Sequence, residues 1–214
     1  MRSTKCLVTG VAITFFFLAG CIRNRGNYPE ELSDKAAAIC IDSFKMRKET
    51  SFALSYTIDL SVIRKMGGRV SSLYVGHGIT EDSMKVLILM PVDDEGKMIA
   101  EGQYFIEGDR DICPPTCDAS FTNATPISRD TAEKYIQIFQ QAGVDKVNGF
   151  IISHTTINAL SRNASVRNLK VYNALGAGTR CVVVKGVGAK GEDIKTSYYL
   201  LSESLLCPPG CAGN

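Results

Sequence analysis

The chain has 214 residues, 45% of them hydrophobic and 21% charged, with no tryptophan, a composition that excludes a disordered or fibrous protein and fits one or two globular domains. Its formal net charge is +2, and Arg2 and Lys5 are the only charges in the first twenty residues, which leaves 22 basic and 22 acidic side chains in the remainder. No cluster of Lys and Arg stands out to neutralise phosphates, so nucleic acid is not an expected partner.

Arg2 and Lys5 precede an apolar run over 7–18 that is too short to span a bilayer as a helix and suits the hydrophobic core of a signal peptide. Leu18, Ala19, Gly20 and Cys21 then resemble the lipobox of bacterial lipoproteins. The resemblance implies cleavage before Cys21, a diacylglycerol on its thiol and acylation of its amine. Several acyl chains at about 0.8 kcal/mol per buried CH₂ hold a protein on a membrane essentially permanently. The expected organisation is therefore a signal peptide over 1–20, a membrane tether over 21–28 and an anchored domain outside the cytoplasm. Ile22 is not the Asp that commonly retains lipoproteins at an inner membrane, which tilts the expected address to the outer membrane. No other stretch is apolar over the roughly 18 residues that a spanning helix needs.

In the first half, Pro29 followed by Glu30 and Glu31 predicts the opening of a helix whose apolar stripe is Leu32, Ala36, Ile39, Cys40 and Phe44. A short extended piece over 52–56 and a second helix capped by Asp59 follow. Strands are expected over 70–75, 84–92 and 98–107. In the second half, Ile127 and Ser128 precede a helix carrying Ala132, Tyr135, Ile136, Phe139 and Ala142 on one face, with Gly143 as its stop. An extended piece over 150–154, a helix capped by Thr155 and Thr156, and strands over 169–175, 180–187 and 194–202 complete it. Residues 86–90 and 181–184 are apolar throughout, so both central strands are expected inside a sheet covered on its two faces.

The halves end alike. Cys113, Pro114, Pro115, Thr116 and Cys117 match Cys207, Pro208, Pro209, Gly210 and Cys211 in all but the fourth residue. Upstream, Val92 aligns with Val187, Leu73 and Tyr74 with Val171 and Tyr172, Ile58 with Ile157, and Ala36 with Ala132. The expectation is an α+β fold of two tandem copies, 29–117 and 127–214, each a helix, a short extended segment, a helix and a three-stranded antiparallel meander, joined by a polar linker over 118–126. The second copy, with its Ile-Ser helix start, its Phe-led extended segment, the strand and turn VVVKGVGAKGEDI over 182–194 and the terminal CPPGC, resembles uncharacterised envelope proteins of the Bacteroidetes. That resemblance implies an address and a fold, and no reaction.

Once Cys6 leaves with the signal peptide and Cys21 is lipidated, six cysteines remain, an even number that suits an oxidising envelope. Pro restricts each five-residue loop, which favours the local bridges Cys113 to Cys117 and Cys207 to Cys211. Cys40 and Cys181 sit on apolar stretches as small hydrophobes, and a bridge between them stays open. A zinc clasp of the four paired cysteines would need thiols kept reduced, which an oxidising envelope disfavours, and a redox pair lacks the helix N-terminus that would lower a thiol pKa.

Gly186, Gly188 and Gly191 spell G-x-G-x-x-G after a strand, but a strand pattern rather than a helix follows, so a hairpin turn is expected. Asp93, Asp94 and Glu95 lack the alternating spacing of a calcium loop. His77, between Gly76 and Gly78, reads as a loop residue, and His154 as the end of an extended segment; neither has a nucleophile elbow or metal-ligand set beside it. No cofactor, metal or catalytic group is therefore expected. The reading that follows is a lipid-anchored, non-enzymatic module that binds an envelope protein or glycan. The alternative is an envelope enzyme with a site between the copies, using His77 or His154 with carboxylates from elsewhere in the chain.

Overall fold

The computed structural model describes residues 30–46, 55–67, 72–93, 97–107, 118–121, 124–143, 149–176, 179–201 and 206–207. They form an α+β fold with two antiparallel-dominated six-stranded sheets. The first half gives β1 (Glu30–Leu32), α1 (Asp34–Lys45), β2 (Ser55–Asp59), α2 (Leu60–Lys65), β3 (Ser72–Ile79), β4 (Lys85–Val92), β5 (Tyr104–Ile106) and β6 (Asp118–Phe121). The second gives β7 (Thr125–Ile127), α3 (Arg129–Ala142), β8 (Gly149–Ser153), α4 (His154–Ser161), β9 (Asn168–Gly176), β10 (Thr179–Val187), β11 (Asp193–Leu201) and β12 (Leu206–Cys207).

Local signals place the helices. Ser33 and Ser128 cap α1 and α3 by accepting hydrogen bonds from the backbone N–H groups of Ala36 and Thr131, and Asp59 caps α2 in the same way through Ser61. Gly143 ends α3 at φ 61°, the left-handed conformation that glycine adopts without a Cβ penalty. Two expected starts move. Glu30, Glu31 and Leu32 are a strand rather than a first helical turn, because residue 33 supplies the cap. The cap of α4 is Ser153, whose hydroxyl receives the Thr156 N–H, so Thr155 and Thr156 already lie inside the helix.

The sheets do not follow the boundary between the halves. Sheet A runs β1-β11-β10-β9-β2-β6 and sheet B runs β12-β8-β3-β4-β5-β7. Each expected meander is present, β3-β4-β5 and β9-β10-β11, yet each is flanked by strands of the other half: β2 pairs with β9, β8 with β3, β1 with β11 and β7 with β5. Two self-contained units side by side are thus not what forms, and the expected linker 118–126 holds both β6 and the start of β7. The third strand of the first meander is also interrupted. Met98 makes an isolated bridge to Val92, regular pairing resumes only at Tyr104, and in between Gly102 and Gln103 hydrogen-bond to Ile99 and Met66.

Side-chain alternation turns the two sheets into a sandwich with a helix on each outer face. Leu73, Val75, Leu87, Leu89, Phe105, Phe150 and Ile152 from sheet B meet Tyr56, Ile58, Phe121, Leu169, Val171, Val182 and Val184 from sheet A in one central core. The alternate residues of sheet B, Tyr74, Val86, Ile88, Met90 and Tyr104, pack against Ala132 and Ile136 of α3. Those of sheet A, Ala174, Cys181 and Val183, pack against Ala37 and Cys40 of α1. Both central strands are covered on two faces, which is why their sequences show no polar alternation.

Candidate functional site

His77 is not in a loop. It lies within β3 opposite Leu87, at 3% exposure, with its imidazole stacked on Phe139 of α3 at 5.5 Å between ring centroids and tilted against Tyr56 of β2 at 6.4 Å. The glycines around it serve the opposite face of the strand. A Cβ on Gly76 would collide with the Tyr74 ring, and one on Gly78 would lie 2.8 Å from Ile88 Cδ1 and 3.2 Å from Tyr135 Cβ, so these positions let α3 and Tyr74 lie close to the sheet.

Around His77 the core carries further polar groups. Asn173 of β9, 2% exposed, donates from Nδ2 to the Tyr56 hydroxyl at 2.9 Å across the boundary between the halves. Glu107, also 2% exposed, accepts the Leu87 N–H at 3.1 Å through its carboxylate while its own N–H donates to the Leu87 carbonyl. The carboxylate thereby takes the place of a main-chain carbonyl where β5 has ended. His77 and Glu107 lie on either side of Leu87, the first as its register partner on β3 and the second through the two hydrogen bonds at the end of β5. The strand pattern around 98–107 conceals Glu107, since a charged residue closing an expected strand reads as a solvated end. Tyr56→Phe removes the bond to Asn173 and is expected to cost about 1 kcal/mol in urea unfolding. An unchanged midpoint would remove that hydrogen bond from the account of core stability.

The structure keeps the two histidines apart. His154 is the exposed first residue of α4, directly after Ser153, which pairs with Ser72; His77 lies five residues further along β3, on the order of 16 Å away. The G-x-G-x-x-G segment is the β10–β11 hairpin, closed by hydrogen bonds from Gly188 N–H to the Glu192 carbonyl and from Gly191 N–H to the Gly188 carbonyl, with Gly191 at φ 77°. Asp93 is a turn residue whose carboxylate accepts the Lys97 N–H at 2.8 Å; residues 94–96 lie outside the described residues. Among the described residues, no three or more His, Cys, Asp or Glu side chains converge to hold a metal ion.

Sheet A carries a buried cation that the sequence reading did not single out. Lys185 of β10 donates to the Asp193 carboxylate at 2.7 Å and to the Tyr198 hydroxyl at 3.2 Å, with its ammonium 4.8 Å from the Tyr198 ring centroid. Burial alone would lower its pKa, but the hydrogen bonds to Asp193 and Tyr198 together with the attraction of their charges outweigh it and hold the ammonium above the ordinary lysine value.

Of the cysteines, Cys40 and Cys181 come together in the apolar layer under α1. Cys207 ends β12, an edge strand of sheet B, and residue 117 immediately precedes β6, an edge strand of sheet A, in sequence. Cys21, Cys113, Cys117 and Cys211 lie outside the described residues. No described helix is long and apolar enough to cross a membrane. No family model matches the chain, and no curated protein or solved structure resembles it at a significant level.

Proposed function

We propose that the chain is a lipid-anchored cell-envelope protein that presents its four-layer helix–sheet–sheet–helix body as a binding module for another envelope component, a protein or a glycan. The observation that carries this reading is the Leu-Ala-Gly-Cys sequence at 18–21, which is followed by the first strand of the fold at Glu30. Nine residues of tether reach at most about 30 Å, so the edge of sheet A formed by β1 would be held near the membrane surface. An outer-membrane address rests on Ile22. The non-enzymatic reading is favoured by the placement of His77, whose ring is enclosed by Phe139 and Tyr56 rather than offered to a substrate.

The finer architecture is part of the proposal. Two copies of one unit, each having exchanged its leading strand, helix, strand and helix with the other, would account for sheet orders that correspond when β1 to β6 are matched with β7 to β12. On that matching Tyr74 falls with Lys170 and Ile58 with Ile152, counted from the pairs Ser72–Val92 and Asn168–Val187, and not with Tyr172 and Ile157. The edges differ, since β6 is parallel to β2 whereas β12 is antiparallel to β8. Such a chain would group with the Bacteroidetes envelope proteins that end in Cys-Pro-Pro-x-Cys, with its two motifs closed as local disulfides.

Cys21→Ser tests the anchor, because only a thiol forms the thioether. Metabolic labelling with an alkyne palmitate analogue is expected to mark the wild type and to leave the variant unlabelled and unprocessed. Equal labelling of the two would remove the lipoprotein reading.

A further inference from the structure

We propose that Cys40 and Cys181 are the ends of a long-range disulfide that fastens α1 to the outer face of sheet A. Its formation in the cell rests on the exported address proposed for this chain. Both residues are buried, 0% and 5% exposed, inside one cluster with Leu32, Ala37, Ala174 and Val183. Cys181 is the register partner of Ala174 on β9, the strand against which α1 chiefly packs. One turn beyond Cys40, Phe44 has the guanidinium of Arg180, the residue before Cys181, 6.0 Å from its ring centroid.

The layer under α1 has the larger share of small side chains: Ala36, Ala37, Cys40, Ala174 and Cys181 lie there with Leu32, Val183, Tyr172 and Tyr198, whereas the layer under α3 has Ala132 among Tyr74, Ile88, Met90 and Ile136. Smaller side chains let the helix backbone settle closer to the strands, toward the Cα separation of about 5.5 Å that a disulfide prefers. On the matching of the two halves proposed above, the layer under α3 stands in for the one under α1. Tyr135 follows the cap Ser128 by the same interval as Cys40 follows Ser33, and the ladder registers match Gly78 with Ala174 and Val86 with Cys181. Tyr135 Cβ and Val86 Cγ2 each lie 3.2 Å from the point that a Cβ on Gly78 would occupy, so helix and strand side chains converge over one residue.

The chemistry is thiol–disulfide exchange with an external disulfide as oxidant. The thiolate of one cysteine attacks that disulfide and expels one of its sulfurs as a thiol, and the second cysteine displaces the other. One S–S bond forms and one breaks, and the two electrons and two protons leaving the cysteines appear on the two thiols of the reduced oxidant. A bridge from position 40 to position 181 closes most of the chain, so it restricts the unfolded state far more than the five-residue Cys-Pro-Pro-x-Cys loops do.

The test refolds the full mature chain from denaturant in oxidised glutathione, alkylates it without reduction and maps its peptides. The Cys40 and Cys181 peptides are expected as one linked species, beside local links within 113–117 and 207–211. Adding reductant is expected to lower the thermal midpoint of the wild type by on the order of 10 °C and that of a Cys40→Ala, Cys181→Ala variant by clearly less. Recovery of both residues as alkylated thiols, or of either linked to another cysteine, would overturn the proposal. The same map on protein trapped with alkylating agent in intact cells separates the two ideas: a link formed on refolding but missing from cells would remove the exported address and leave the pairing standing.

Discussion

Gly149→Ala is expected to destabilise the protein by about 3 kcal/mol, the upper end of the range for overpacking a close-packed site. Gly149 opens β8 opposite Gly76 of β3, and a Cβ there would lie less than 3.0 Å from the Val75 carbonyl oxygen and 2.7 Å from the Tyr74 hydroxyl. A side chain can rotate away from such a clash, but a carbonyl fixed in a sheet ladder cannot. Relief requires the β3–β8 pairing to open at its end, which lifts Phe150 from the central core and Tyr74 from the layer under α3. Urea unfolding of the variant beside Thr155→Ala, an exposed substitution expected to stay within about 0.5 kcal/mol, measures the effect. A Gly149→Ala midpoint equal to that of the wild type would mean that β8 is not seated on β3 as described.

The features that could be read from the sequence are those whose causes are local. α3 is legible because Ser128, the stripe Ala132, Ile136 and Phe139, and Gly143 are a cap, a buried face and a stop within sixteen residues. β4 and β10 are legible because burial on both faces leaves an unbroken apolar run. What escaped depends on distant partners. Glu30–Leu32 becomes a strand because β11, more than 160 positions away, offers it an edge, and nothing near Pro29 carries that information. The short polar strands β6 and β7 read as a linker for the same reason.

The histidine at 77 shows the same limit at the candidate site. Glycine on both sides suggests flexibility when only neighbours in sequence are considered, and the structure supplies a different cause, the close approach of Tyr74, Ile88 and Tyr135. The polar groups near it come from β2, β9 and the end of β5, so their convergence depends on the crossing of the two halves and not on any motif. Sequence spacing flagged Cys40 and Cys181 as small apolar residues; packing makes them neighbours of the same cluster.

Cutting the chain between β6 and β7 is expected to leave the two fragments bound to one another as a folded pair. A protease site introduced at Thr122–Asn123 would separate β1 to β6 from β7 to β12. Each fragment supplies three strands to each sheet, and the ladders β1–β11, β2–β9, β3–β8 and β5–β7 all join one fragment to the other. Separation would also split the central core, which takes Tyr56, Leu73 and Leu87 from the first half and Phe150, Leu169 and Val182 from the second. At roughly 25 cal/mol per Å² of apolar surface, neither fragment could expose its share of that core and stay folded. The cut should be made in the presence of reductant, so that no bond between Cys40 and Cys181 ties the fragments together. Size-exclusion chromatography is then expected to give one species at the mass of the uncut protein, and its urea midpoint should rise with protein concentration, because unfolding has become dissociation. Two independently folded fragments eluting separately would show that the halves are autonomous, and the exchange of strands between them would fall with that result.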